Sequence, residues 1–155
     1  MGGFKLDSHA SARSLELKND SRHNEKTASK GKVIIIEDDV EVLESLSEVL
    51  TSEGYEVETA TSGEEGIRKC RAKRFSLALL DIKLPGMNGT QVLEVLHKEF
   101  PSMVKIMITG YPSLENAVAS LKQGADAYLM KPIKPASLLK ILDEKINKQA
   151  LMEKM

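Results

Sequence analysis

The feature of this sequence that most constrains its fold is a fivefold alternation of short apolar runs with segments of helical periodicity. The runs are short enough to be single strands, and they read KVIIIE, YEVETA, SLALLD, VKIMIT and DAYLM. The segment after each run places apolar residues at helical spacing, as SLENAVASLKQG does. Alternating strands and helices predict a parallel sheet with helices on both faces. We therefore predict an α/β fold, a doubly wound five-stranded parallel sheet in the order 2-1-3-4-5.

The same pattern divides the chain into three segments. Residues 1–31 are polar, rich in Ser, Asn, Lys and His, and show no sustained periodicity, so we predict a disordered N-terminal tail. Residues 32–148 contain all five strand–helix units and form the predicted domain. Residues 149–155 are predicted to extend the last helix or to form a short tail.

Composition and charge argue against several classes of protein. The chain has 155 residues and a net charge of −1, which does not favour a polyanion or a membrane surface as its partner. Its apolar stretches are too short to span a bilayer, and its first residues lack the features of a secretory signal. The single cysteine, Cys70, cannot form an internal disulfide. We therefore predict a cytoplasmic protein that binds neither a membrane nor nucleic acid directly.

Polar residues follow four of the five predicted strands. They are Glu37, Asp38 and Asp39 after strand one, Asp81 after strand three, Thr109 after strand four and Lys131 after strand five. In the predicted order the sheet changes direction between strands one and three, and ligands bind outside the carboxyl ends of the strands at such a point. We therefore expect these side chains to line one crevice.

With Asp39 interpreted as the N-cap of the first helix, three carboxylates remain in the crevice and require a compensating charge. Two carboxylates about 5 Å apart repel each other by roughly 3 kcal/mol at an effective dielectric constant near 20. A hard divalent cation removes this repulsion, and an all-oxygen site with few protein ligands suits Mg²⁺ together with a phosphate group. A cation, a lysine and a hydroxyl group around one carboxylate are what an aspartate needs to accept a phosphoryl group.

Four stretches of the chain, in the order IIIEDD, LLDIKLPGMNG, MITG and YLMKP, resemble the motifs of response regulator receiver domains of the CheY-like kind. The resemblance covers the whole predicted domain. It implies a phosphoprotein of two-component signalling with the CheY-like fold, which receives a phosphoryl group from a sensor histidine kinase or a phosphotransfer protein. It also implies a switch that catalyses only its own phosphoryl transfer and dephosphorylation, rather than an enzyme with an external substrate.

The resemblance implies roles for the acidic residues. Asp81 is the implied phosphoacceptor and a Mg²⁺ ligand. Asp38 is implied to bind Mg²⁺ directly, Glu37 to act through a water molecule, and the backbone carbonyl of Lys83 to supply a further ligand. Glu37 departs from the family pattern, in which this acidic pair is often two aspartates.

The resemblance also implies roles for residues after strands four and five. Thr109 and Lys131 are implied to bind oxygens of the phosphoryl group and so to assist its transfer. Tyr128 is implied to turn when Thr109 moves toward the new oxygens. A cis peptide bond before Pro132 is implied to direct Lys131 inward.

Two other functions are compatible with parts of the pattern. One is a protein-interaction module on the same fold that is never phosphorylated, but the full set of acidic, threonine and lysine residues argues against it. The other is a metal-dependent phosphohydrolase with an aspartyl nucleophile, which would need a second acid and a substrate cap that the short loops do not offer. An FMN carrier is disfavoured because no phosphate-binding loop follows strand one. Asp39 is interpreted as the N-cap of the first helix.

The last helix indicates an output surface. Leu138, Ile141, Leu142 and Ile146 are predicted to face the sheet. In the resembling family, the face formed by the fourth helix, the fifth strand and the fifth helix is where receivers dimerise or bind partners. We therefore expect a homodimer or a partner contact on this face.

Overall fold

The computed structural model describes residues 29–110 and 113–154, and the predicted disordered tail therefore lies almost wholly outside the described residues. Ten helices and strands alternate within this part of the chain. They are β1 (Lys32–Ile36), α1 (Val40–Ser52), β2 (Glu56–Ala60), α2 (Gly63–Ala72), β3 (Leu77–Asp81), α3 (Gly89–Glu99), β4 (Val104–Thr109), α4 (Leu114–Lys122), β5 (Ala127–Met130) and α5 (Pro135–Lys154). The strands form one parallel sheet in the order β2-β1-β3-β4-β5, which confirms the predicted fold.

The central strands are continuous apolar runs because helices cover both faces of the sheet. Neither face of these strands is exposed to water, so neither requires polar residues. In β1, Ile34 and Ile36 face one apolar cluster, and Val33 and Ile35 face the other. All five residues of β3 are buried. Fully burying one such aliphatic side chain contributes about 1.5–3 kcal/mol, so this central strand anchors the sheet. The carboxyl ends of the strands are thereby held in fixed positions.

The strand β2, in which charged and uncharged residues alternate, lies at an edge of the sheet. It pairs with β1, and its residues from Glu56 to Thr59 are exposed or only half-buried. Two of its carboxylates form surface ion pairs, Glu56 with Lys32 at 4.0 Å and Glu58 with Lys73 at 2.7 Å. Charges on an edge strand hinder unwanted pairing with other chains.

Side chains cap the first turns of the helices. Asp39 caps α1, as predicted, by accepting from the backbone N–H groups of Glu41 and Val42. Ser62 caps α2, but Glu65 accepts from the N–H of Thr61 instead of completing a capping box. The full capping box lies at α3, between Asn88 and Gln91.

The last helix, α5, begins at Pro135, as expected for proline at a first helical position. Leu138 and Leu142 are fully buried, and Ile141 and Ile146 pack against the same cluster. The helix continues to Lys154, and Leu151 and Met152 near its end are each 64% exposed. Within residues 29–110 and 113–154, no helix combines the length and the hydropathy needed to cross a membrane.

Candidate functional site

The sheet register brings the acidic residues together. Ile36 in β1 is paired with Leu80 in β3, so the next residues, Glu37 and Asp81, emerge side by side at the same sheet edge. One carboxylate oxygen from each of Glu37, Asp38 and Asp81 lies within 4.8 Å of the others. The structure thus places these three predicted residues in one cluster.

The three carboxylates differ in their exposure to solvent. Glu37 is fully buried and Asp81 is only 4% exposed, whereas Asp38 lies at the surface. Glu37 Oε2 is buried and has no hydrogen-bond partner among the described residues. A buried carboxylate oxygen without a partner carries a desolvation cost of several kcal/mol unless a proton or a cation compensates it. The cluster is therefore incomplete as a purely protein structure.

Lys131, which follows the edge strand β5, completes the cluster. Its backbone N–H donates to the carbonyl of Thr109 at 2.8 Å, which fixes the end of β5 against the end of β4. Its Nζ donates to Glu37 Oε1 at 2.6 Å and to Asp81 Oδ2 at 3.1 Å. The peptide bond between Lys131 and Pro132 is cis, as expected. The direct ion pair with Glu37 was not predicted, because the sequence pattern associated this lysine only with a phosphoryl group.

The electrostatics of the cluster shift two pKa values upward. Burial, together with hydrogen bonding to Asp81, raises the pKa of Glu37 to about 8, against the lowering effect of Lys131. Burial acts to lower the pKa of Lys131, but its hydrogen bonds to Glu37 and Asp81 outweigh burial and raise that pKa. At neutral pH the cluster therefore holds an ammonium ion and a carboxyl group that retains its proton easily.

Thr109 and Tyr128 lie on the neighbouring strands. Thr109 is fully buried at the end of β4, one position beyond Ile108, which is paired with Asp81. Tyr128 is paired with Met107 and packs, half-buried, against the apolar cluster on that face of the sheet. Its hydroxyl group is buried and lacks a partner among the residues described. Leaving a buried hydroxyl unsatisfied costs about 1–3 kcal/mol.

The loop between β3 and α3, residues 82–88, carries Lys83 close to the cluster. The backbone N–H of Lys83 donates to Asp81 Oδ1 at 3.3 Å. Gly86 has a φ of +69°, a conformation that favours glycine. A Cβ atom on Gly89 would lie 2.0 Å from the carbonyl oxygen of Asp81, so this position accepts no side chain without distortion. Gly86 thus allows the tight turn, and Gly89 allows the close approach to Asp81.

The donor set of the cluster fits Mg²⁺. The oxygens come from three carboxylates, one of which has a buried, unpaired oxygen, and Asp38 leaves one side open to solvent. Hard oxygen donors with open positions suit Mg²⁺, which retains several waters and binds phosphate oxygens. Among the described residues, this is the group of carboxylates that meets the geometric requirement for a metal site.

Comparison with protein families gives a match over most of the chain. The model of the response regulator receiver domain matches residues 33–143. Over 118 residues the chain is 34% identical to the transcriptional regulatory protein GlrR of Escherichia coli K12, an alignment that covers 76% of this chain and 27% of that protein. Over 108 residues it is 35% identical to the DNA-binding response regulator MtrA of Mycobacterium tuberculosis, covering 70% of this chain and 47% of the relative. The chain therefore spans between about a quarter and a half of the length of these relatives.

Solved structures show the same architecture. A CheY-like response regulator receiver domain protein from Methanospirillum hungatei JF-1 is 50% identical, with a TM-score of 0.76, and the match covers 78% of this chain and 97% of that one. A response regulator receiver domain protein from Clostridium thermocellum is 32% identical, with a TM-score of 0.73, and the match covers 78% and 98% of the two chains.

Proposed function

The chain belongs to the response regulator receiver domain family, and from this premise we propose that Asp81 is its phosphoacceptor and that phosphorylation switches an output surface. Receiver domains of this family are signalling proteins of two-component systems that interact with histidine kinases and generally bind Mg²⁺. The assignment of roles to individual residues of this chain is our proposal.

The observation that supports the proposal most strongly is the convergence of charges on Asp81. Its carboxylate lies within 4.8 Å of those of Glu37 and Asp38 and accepts a hydrogen bond from Lys131. It is almost buried, so few water molecules surround the reacting oxygen. A carboxylate with a purely structural role needs only one compensating partner. Asp81 has such a partner in Lys131, but it also lies beside two further carboxylates.

The proposed reaction is a transfer of one phosphoryl group. An oxygen of Asp81 attacks the phosphorus atom, a P–O bond forms to Asp81, and the bond from phosphorus to the donor's leaving group breaks. With a phosphohistidine donor, the imidazole nitrogen leaves with the electron pair of that bond. Lys131 binds one phosphoryl oxygen through its ammonium group. Thr109 donates a hydrogen bond from its hydroxyl group to another phosphoryl oxygen. Such fixed donors stabilise charge as it develops on the phosphoryl oxygens.

Glu37, Asp38, Asp81 and the carbonyl of Lys83 are the residues that we propose to hold Mg²⁺. When bound, the ion would neutralise charge on the phosphoryl oxygens. We propose that Glu37 contributes through a water molecule. Lys131 and the ion then share the compensation of the acidic cluster, and the chain acts as a switch rather than as an enzyme with an external substrate.

The surface beside the cluster supports docking of a phosphodonor protein, either a histidine kinase or a phosphotransfer protein. A shallow cavity of about 470 Å³ lies between α1 and the segment after β5. Val42 and Leu46 line one side of this cavity, and Pro132 and Ile133 line the other, next to Lys131. The mostly apolar lining of this cavity suits a helix from a partner protein. Docking of that helix would bring the partner's phosphoryl group to the carboxylate of Asp81.

The proposed output surface is the face formed by α4, β5 and α5, which we propose to form a homodimer or to bind a partner. Val118, Leu121 and Met130 are exposed there by 41%, 52% and 59%. Direct binding to nucleic acid is not part of the proposal for residues 32–148, although the relative MtrA is named as a DNA-binding protein. A cytoplasmic location remains a prediction, which rests on the single cysteine and its inability to form an internal disulfide.

The proposal is tested by intact-mass measurement after incubation with acetyl phosphate, with and without Mg²⁺. We expect one phosphoryl group per chain, dependent on the divalent cation and labile in base. Asp81→Asn should abolish labelling, and Asp38→Asn should reduce it by at least tenfold at limiting Mg²⁺. Asp39→Asn is the matched control, because asparagine caps a helix as well as aspartate does and labelling should be unchanged. Equal labelling of Asp81→Asn and the wild type would refute the assignment.

A further inference from the structure

The first turn of α2 lies directly against the loop between β3 and α3. A Cβ atom on Gly63 would lie 2.4 Å from Cγ2 of Val92 and 3.2 Å from the carbonyl oxygen of Met87. A side chain at this position would require its neighbours to shift, so the glycine permits the helix to approach the loop closely. The loop that follows Asp81 therefore packs against an element from a different part of the chain.

The next residue of α2, Glu64, binds the loop through its carboxylate. Its Oε1 accepts a hydrogen bond from the backbone N–H of Met87 at 3.1 Å, across 23 positions of sequence. The carboxylate oxygens also lie 3.5 and 3.7 Å from the position that a Cβ atom on Gly86 would occupy. The carboxylate thus lies beneath the tight turn at Gly86 and accepts from the N–H that follows it.

This bond attaches the loop at Met87, in addition to the hydrogen bonds near its two ends. At the end near the cluster, the N–H of Lys83 donates to Asp81 Oδ1 at 3.3 Å. At the far end, the N–H of Gly89 donates to the carbonyl of Ile82 at 2.7 Å. Both of these bonds stay within the loop and its flanking residues. The bond to Glu64 connects the loop to α2 and so restricts how the turn moves relative to the sheet.

We propose that Glu64 is a positioning residue for the Mg²⁺ site, an inference that rests on the proposed function of the carbonyl of Lys83 as a ligand. Without the bond from Met87 to Glu64, the loop populates additional conformations in which this carbonyl is displaced. The apparent dissociation constant for the ion rises in inverse proportion to the fraction of molecules with the competent loop. Glu64 itself does not contact the acidic cluster in this role.

The chemistry of Glu64 suits the role. A carboxylate accepts a stronger hydrogen bond from a backbone N–H than a neutral group does. An acidic residue in the first turn of a helix is also stabilised by the helix dipole, so the side chain is favoured where it stands. Glu64→Gln keeps an acceptor oxygen at the same distance and loses the charge, whereas Glu64→Ala loses both. The two substitutions therefore separate the bond from the charge.

The test measures two quantities by NMR in the full chain. The proteins compared are the wild type, Glu64→Ala, Glu64→Gln and a control, Glu94→Ala. The control removes an exposed carboxylate from α3. The first quantity is the exchange rate of the Met87 amide hydrogen without metal, and the second is the Mg²⁺ dissociation constant from the amide shifts of Asp81 and Lys83. For Glu64→Ala we expect exchange that is several-fold faster and a dissociation constant that is about three- to fivefold higher, a loss appropriate to one hydrogen bond. Glu64→Gln should recover most of both, and Glu94→Ala should match the wild type.

Two results would overturn the inference while leaving the proposed function intact. One is wild-type exchange and wild-type Mg²⁺ affinity in Glu64→Ala, in a chain whose Asp81 still accepts a phosphoryl group. The other is a loss in Glu64→Gln as large as in Glu64→Ala, which would show that charge alone matters. A wild-type chain that neither binds Mg²⁺ nor accepts a phosphoryl group would refute the proposed function, and the positioning role with it.

Discussion

The ammonium group of Lys131 lies 2.6 Å from Oε1 of Glu37, although 94 positions of sequence separate the two residues. The same ammonium donates to Asp81, so one positive charge serves two buried carboxylates while Asp38 remains exposed. Burial, with a further contribution from the neighbouring Asp81, raises the pKa of Glu37 despite its contact with Lys131. The cluster therefore favours an additional proton or a divalent cation, and this competition underlies the first prediction.

The first prediction concerns the pH dependence that arises from Glu37. Burial raises its pKa from the ordinary 4.5 to about 8, so the metal-free folded state binds more protons than the unfolded state between these values. The resulting stabilisation is fully present below about pH 4.5 and is lost as the pH rises through about 8. Urea unfolding of the wild type and of Glu37→Gln from pH 5 to 9 measures it, because the difference between the two proteins removes the contributions of other groups.

The same proton competes with Mg²⁺, because metal binding requires the ionised carboxylate. We expect the Mg²⁺ affinity of the wild type to rise from pH 6 to 8, and that of Glu37→Gln to rise less. Parallel stability and affinity profiles for the two proteins would show that Glu37 titrates normally.

The second prediction concerns Lys131. The Mg²⁺ affinity of Lys131→Ala should be within about twofold of that of the wild type, because the ammonium group is not a metal ligand. Its removal leaves two carboxylate oxygens available to the ion. The affinity of the variant for beryllofluoride, a mimic of the phosphoryl group, should fall by about tenfold or more with the loss of a charge-assisted hydrogen bond. NMR titration measures both, with Lys134→Ala, an exposed lysine nearby, as the control.

In the wild type, beryllofluoride should shift the amide signals of Thr109 and residues 113–134 much more than those of residues 55–74, because the proposed movement involves Thr109 and Tyr128. Unchanged beryllofluoride affinity in Lys131→Ala, or uniformly small shifts in the wild type, would contradict the proposed roles of these residues.

The third prediction concerns the glycine at the start of α3. A Cβ atom on Gly89 would lie 2.0 Å from the carbonyl oxygen of Asp81, whereas one on Gly110 would have Cδ of Lys131 at 3.8 Å as its nearest neighbour. Gly89→Ala should lower the free energy of unfolding by about 3 kcal/mol, although alanine is the better helix former. Gly110→Ala should change it by less than about 0.5 kcal/mol. Urea denaturation of both variants is the measurement, and equal stabilities would show that the backbone at Gly89 relaxes easily.

The fourth prediction concerns association through the face of α4, β5 and α5. Two carboxylates in or next to the elements of this face already have partners within the chain, since Asp126 accepts from the N–H of Lys105 and Asp143 accepts from the hydroxyl of Tyr55. We therefore expect apolar contacts to dominate and Leu121→Glu to weaken a dimer at least tenfold. Leu151→Glu, on the exposed end of α5, is the matched control and should have a small effect.

Sedimentation of the full chain and of a chain ending at Lys148, each with and without beryllofluoride and Mg²⁺, measures this association. We expect a modest dimer that beryllofluoride strengthens, because an interface of this size lies near the lower limit for specific complexes. A strict monomer in all four samples would eliminate dimerisation and leave the face to a separate partner.

Periodicity and the expected strand order were sufficient to predict the architecture of the domain and the neighbourhood of its site. Short aliphatic runs such as that of β3 are buried on both faces, and this requirement is local, so strand and helix positions could be predicted from periodicity. The sheet order then placed the residues after β1 and β3 side by side without knowledge of any contact. A local propensity, the N-cap preference of aspartate, likewise identified Asp39 correctly.

Which polar groups meet within that neighbourhood depends on tertiary packing and could not be predicted. The pairing of Lys131 with Glu37 and the bond from Met87 to Glu64 join residues that are distant in sequence. Lys105 is another example, because it is fully buried in β4 with its ammonium donating to the carbonyl of Phe100 at 2.7 Å. Such contacts depend on where long side chains end after packing, and a period of two or 3.6 residues specifies only the face from which a side chain emerges.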